Sequence, residues 1–529
     1  MIPSSAARVA AIAIAIACVA VLAGCGGRTK TQTTTGETTT AATAVVTTKA
    51  KAGAPDRAQI RAAAKVPDGD WTEFGYNAQR TDVGPANTGI TAKNLGQLGA
   101  RIVHLPGTVD SSPIQLHALE VDGHKRDVVV VTTTYGRTIA LDAQTGAKLW
   151  EFTPSAIGSY QGSAQITTAA PIADPDRQYV YTTSPDGLIH KLSLLTGKQV
   201  FSGGWPVSVT RDPTHEKLPA ALTISGPNLI VTTGGYLGDI PPYQGKVVVI
   251  NRASGAIVNI FNTLCSNRRV LIVPSTCPAS DSAIWGRAGA VIVPGSKDIL
   301  VTTGNAPFNG STDWGDSVLE LNPTAGRLLH NWTPTNQAQL NADDGDLGST
   351  SPALLGTVDG DNLALQGGKG EVLSLLNLNR LDGTTGPAGP RTGGQIETLP
   401  TPGSSEMVTA PAVWREGGKT WVFVTDYTST AAYVVSAGGG PHLTKVWENQ
   451  FLPGTSPILA GGLLYVYNPD AGNLVVYRPT TGKILATLPA APGHWNSPII
   501  IGGRIILPEG SANAHQTTGT MVIYHLPGR

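Results

Sequence analysis

Residues 128–150 read VVVVTTTYGRTIALDAQTGAKLW, and this stretch decides the fold. Val128 to Thr132 is a β-branched run, and Tyr135-Gly136 is a turn dipeptide that leads into a second apolar run ending at Asp142. Two such runs across a Gly-containing turn read as a β-hairpin. Asp142-Ala143-Gln144-Thr145-Gly146 then predicts a tight turn: the Asp carboxylate can accept backbone N–H groups two residues on, and Gly146 can take positive φ. A third strand, ending in Trp150, follows. Looser copies recur at 179–198, 245–256, 316–329, 368–383 and 463–483. A unit repeated in this way cannot bury its own apolar face alone, and it stacks on its neighbours.

A fourth strand precedes each hairpin, marked by small residues and Pro. The markers are Ser111-Ser112-Pro113, Ala169-Ala170-Pro171, Thr350-Ser351-Pro352, Thr409-Ala410-Pro411, Thr455-Ser456-Pro457 and Asn496-Ser497-Pro498. Four antiparallel strands make a propeller blade. Units starting near 111, 168, 221, 287, 350, 408, 455 and 496 number eight, so the expected fold is all-β, an eight-bladed β-propeller over residues 69–529. The last unit holds only three strands, and residues 100–105, ARIVHL, are expected to supply its outer strand and so close the ring. The composition fits turn-dense β structure: 63 Gly and 38 Pro in 529 residues, with 14% charged residues. Formal net charge is zero, and the absence of a Lys/Arg run argues against a nucleic-acid partner.

At the N-terminus, Arg8 precedes an apolar run over residues 9–23, placed like the core of a signal peptide (1–24). Leu22-Ala23-Gly24-Cys25 resembles the lipobox of bacterial lipoproteins, which implies a lipidated Cys25 and a protein anchored in the cell membrane on its extracytoplasmic face. Residues 25–68, rich in Thr and Ala and without apolar periodicity, read as a disordered tether. Of the four cysteines, Cys18 and Cys25 belong to the export signal, so Cys265 and Cys277 are expected to form a disulfide.

The repeat resembles the blade motif of pyrroloquinoline quinone (PQQ) propellers, whose Ala, Asp, Thr-Gly and Trp positions fall on Ala140, Asp142, Thr145, Gly146 and Trp150. The segment Trp71-Thr72-Glu73-Phe74-Gly75-Tyr76-Asn77, with Arg80, is similar to the leading segment of quinoprotein alcohol dehydrogenases. That resemblance implies a site. Trp285 of Trp285-Gly286 would lie under a quinone, and Asn305 of Thr303-Gly304-Asn305 would ligate calcium. Asp344 or Asp346 would be the catalytic base, and Lys369 would contact the quinone oxygens. Plain structural readings stand beside these: a blade-interface Trp, a hairpin turn, a solvated acidic loop and a turn lysine. The sequence also departs from the family. The hairpin at 180–186 carries no Glu for the calcium, although Asp186 is available, and there is no adjacent Cys-Cys pair. No C-x-x-C-H is present, so no covalent haem is expected and any electrons would pass to an external acceptor.

Two functions therefore stand open. One is a monomeric binding or scaffolding lipoprotein with a degenerate quinone site and a protein or cell-envelope partner. The other is a dehydrogenase that uses PQQ and calcium to oxidise an alcohol or sugar hydroxyl.

Overall fold

Each repeat folds as four antiparallel strands because its turns are short and its runs are apolar on both faces. In the computed structural model, residues 69–236, 239–381 and 392–529 are described. They form eight four-stranded antiparallel sheets. The expected signal peptide, the expected tether and Cys25 lie outside the described residues.

The inner strands begin at Ile114, Ile172, Thr223, Val291, Ala353, Ala412, Ile458 and Ile499, within a few residues of the starts read from the sequence. Central strands such as Thr138–Asp142 and Leu463–Asn468 are buried at every position, since a blade is covered by a neighbour on each side. The outer strand Ile484–Pro489 alternates instead between exposed and partly buried residues. Gly99–Leu105 pairs antiparallel with Gly519–His525, so the first strand among the described residues completes the last blade, as the sequence led one to expect.

The repeated Trp and Thr-Gly positions interlock the blades. Asp142 Oδ1 accepts the amides of Gln144 and Thr145, both at 2.9 Å. Gly146 at φ +74° brings that turn against Val103 of the closing strand, where a Cβ would sit 2.7 Å from the Val103 methyl. Trp150 donates its indole N–H to the Leu194 carbonyl at 2.8 Å and lies over Gly197 in the next blade. Trp447 does the same with the Pro479 carbonyl and Gly482.

The leading segment 71–88 stitches the inner strands together. Its backbone bonds Gln115, Ala173, Ile292, Val413, Leu459 and Gly503, which belong to six different blades. Arg80 adds a seventh by donating to the Leu222 carbonyl and the Thr223 hydroxyl. Phe74 is buried among Ala170, Ala221, Ala288 and Ala410, each just ahead of a different inner strand. A side chain that meets four blades at once stands on the ring axis, so Phe74 plugs the channel. The small residues before each strand are what leave room for it.

The Cys265–Cys277 disulfide is formed. Among the described residues no helix is long and apolar enough to cross a membrane.

Candidate functional site

The segments immediately before the inner strands converge on the axis, and they enclose a cavity of about 370 Å³. Its lining includes Trp285, Asp346 and Lys369, three of the residues singled out from the sequence.

Backbone bonds fix this wall. Gly304 N–H donates to the Ala283 carbonyl at 2.8 Å, and Gly286 N–H to the Gly348 carbonyl at 2.8 Å, which ties the Trp285, Asn305 and Asp346 segments to one another. Glycine is required at 304 by close approach: a Cβ there would lie 1.9 Å from Asp346 Oδ1. Asp316, buried one loop behind, accepts the Leu347 amide at 3.1 Å and the Gln337 side-chain amide at 3.2 Å, which holds the acidic loop in place. Burial raises the Asp316 carboxyl to about 7 against the pull of the Leu347 amide.

The two candidate bases part company. Asp346 is 5% exposed and lines the cavity, whereas Asp344 is 64% exposed. Asp346 Oδ1 accepts the Asn305 backbone amide at 3.0 Å. Burial raises its carboxyl to about 6 in spite of the neighbouring Lys369 ammonium. Lys369 Nζ lies 3.2 Å from Asp344 Oδ2 and 3.1 Å from Asp346 Oδ2. Burial opposes its charge, but the two carboxylates win and hold the ammonium above the ordinary lysine range. Asn305 donates its side-chain N–H to Asp344 at 2.6 Å, which leaves its Oδ1 buried with no hydrogen bond.

This donor set fits a planar acidic ligand better than a divalent cation. Calcium takes six to eight oxygens. Here the position between the two carboxylates holds an ammonium, and Asn305, which is not itself a lining residue, adds one buried oxygen, Oδ1, beside them; the other carboxylates of the lining are Asp239 and Glu406. Asp186 adds none: it accepts from the Ser184 hydroxyl and is not among the residues that line the cavity. Among the described residues the one cluster of three His, Cys, Asp or Glu side chains close enough for a metal is Cys265, Cys277 and Asp313, whose two sulfurs are already bonded to each other. The aromatic requirement of a flat ligand is met by Trp285, braced edge-on by Tyr243 with ring centroids 6.2 Å apart, and by Trp495 and Tyr427.

Sequence reading missed three cationic or basic residues of the same lining, Lys217, Arg287 and His494. The available signal was position: each lies within a few residues of the small or Pro residues that open an inner strand.

Residues 108–268 match the family model described as outer membrane protein assembly factor BamB. No curated protein matches the chain by sequence. Among solved structures, the quinohemoprotein alcohol dehydrogenase of Comamonas testosteroni superposes with a TM-score of 0.61 at 13% identity, covering 87% of this chain and 81% of that one. The quinohemoprotein alcohol dehydrogenase ADHIIG of Pseudomonas putida HK5 gives 0.65 at 15%, with the same coverage of 87% and 81%. A europium-containing methanol dehydrogenase gives 0.61 at 16%, covering 87% and 98%. The fold is thus the eight-bladed propeller of the quinoprotein dehydrogenases. Residues 108–268 carry its PQQ-type blade repeat.

Proposed function

We propose that this chain is an extracytoplasmic propeller, lipid-anchored at the cell membrane through Cys25, that binds a small planar ligand in its mouth without a divalent cation. It is a binding module built on a degenerate quinone site, and it offers the rest of its surface to a cell-envelope partner. The observation that carries this reading is the Lys369 ammonium bridging Asp344 and Asp346 at 3.1 to 3.3 Å. A cation already neutralises the carboxylates that a metal would need.

The test is calorimetric titration with PQQ, once in EDTA and once in calcium. Equal affinity in both supports the reading, and binding that requires calcium defeats it.

A specific observation favours a second reading, a PQQ- and calcium-dependent dehydrogenase. Asn305 Oδ1 is a buried oxygen without a partner, and Asp346, with a carboxyl near 6, is poised as a base for a substrate hydroxyl. When bound, the quinone would supply a two-electron acceptor. Trp285 would give it an apolar face and Lys369 a cation. This reading predicts dye reduction with an alcohol that is lost in Asp346→Ala, and no reduction with any alcohol tried would remove it.

A further inference from the structure

A second group of lining residues belongs to neither description above. Asp110, fully buried at the start of blade 1, accepts His494 Nδ1 at 2.7 Å, the Trp495 amide at 3.0 Å and the Ala512 amide at 2.9 Å. Arg287 reaches the same carboxylate at 3.3 Å. Burial alone would raise the Asp110 carboxyl, but Arg287, His494 and these hydrogen bonds together hold it well below the usual range. One buried acid from blade 1 therefore fixes an arginine from blade 4 and a histidine from blade 8 at the edge of one cavity.

Two features of this group are unspent. His494 gives Nδ1 to Asp110, and its Nε2 has no partner among the described residues. Lys217 lines the cavity next to Pro219 and Thr168, and its Nζ has neither a hydrogen bond nor an ion pair among the described residues. The charges that bear on Lys217 are Arg287, which opposes its protonation, and Asp110, which favours it, while burial lowers the ammonium to about 7. Asp110 is shared between Arg287 and His494, so the Lys217 charge is left without a counterion. A partly buried cation aimed into a cavity beside an arginine is costly to hold unless an anion enters. The Arg287 guanidinium also lies 5.9 Å from the Trp495 ring centre, which places an aromatic face beside the clamp.

We infer that Lys217 and Arg287, with His494 as a third polar contact, form an acid-binding subsite that takes the carboxylate of a planar aromatic acid lying against Trp495. This rests on the proposed binding function and names its ligand class. The aromatic body lies between the Trp285 and Trp495 sides of the cavity, and the acid group points away from the Asp346 wall, where another carboxylate would meet like charge.

The experiment is calorimetric titration of the full-length protein with isophthalate at pH 6.5 in EDTA, with the neutral diamide isophthalamide as the comparison. Wild type is expected to bind isophthalate and to reject isophthalamide. Lys217→Met and Arg287→Gln are each expected to weaken isophthalate at least tenfold. Lys217→Met is the decisive variant, because its side chain makes no bond that the fold needs. Wild-type affinity in Lys217→Met, equal binding of the diamide, a loss confined to Lys369→Met, or no binding by wild type at 10 mM isophthalate would each overturn the subsite. Calcium-dependent PQQ binding would instead sink the metal-free reading and leave the subsite standing, so the two failures are separable.

Discussion

Replacing Lys369 with Met removes the one cation that, among the described residues, faces the Asp346 carboxylate within hydrogen-bond reach. Asp346 is 5% exposed and Lys369 22% exposed, so this half of the bridge is sheltered; the half to Asp344, at 64% exposed, contributes little. Stripping the partner from a buried charge costs about 3–5 kcal/mol if the charge must stay. Asp346 has an escape, because it can protonate. Its folded carboxyl sits at about 6, above the ordinary 3.8, so its contribution to stability is full at low pH and is lost as pH rises through about 6. Without the ammonium the folded value climbs further, and each unit adds about 1.4 kcal/mol at pH values above it. The loss in Lys369→Met is therefore expected to be about 2–3 kcal/mol at pH 8 and under about 1 kcal/mol at pH 5, where Asp346 is already neutral with either residue. Urea unfolding at the two pH values measures this. An equal loss at both, or no loss at pH 8, would refute the account of the pair.

Other outcomes follow from the same structure. Phe74→Ala empties the axial plug among four alanines and is expected to lower stability by about 3–5 kcal/mol, read as a fall in melting temperature; a change under about 1 kcal/mol would contradict the plug. Cys277→Ser opens the 265–277 loop and is expected to cost about 3 kcal/mol in oxidising buffer and nothing after reduction of both proteins. Cys25→Ala is expected to release the protein from the membrane fraction of cells to the soluble fraction, and unchanged fractionation would count against lipid anchoring.

The blades were legible because their information is local. Asp142, Gly146 and Trp150 build one local turn and one inter-blade contact, and the contact returns at Trp447 and Gly482, so the pattern is read without knowledge of the ring. Closure was legible for a related reason: the last unit lacks one strand and residues 100–105 have none to pair with nearby. The Phe74 plug was not legible, since nothing in its own neighbourhood says that Ala170, Ala221, Ala288 and Ala410 meet on an axis. Trp285, Asn305, Asp346 and Lys369 could be named only through a family resemblance, because a Trp-Gly or a Gly-Asn is ordinary turn chemistry in isolation. The choice between Asp344 and Asp346 turned on burial two residues apart, which spacing does not report. Lys217 and Arg287 escaped notice because their meeting is made by ring geometry: they come from different blades and share only the cavity they line, while the buried Asp110 that holds Arg287 comes from a third.

The most direct measurement is the PQQ titration of the full-length protein in EDTA and in calcium, with Lys369→Met alongside. The predicted result is the same affinity with and without calcium, weakened when Lys369 is removed. Binding seen only in calcium, accompanied by alcohol-dependent dye reduction, would contradict the metal-free binding propeller and establish the dehydrogenase in its place.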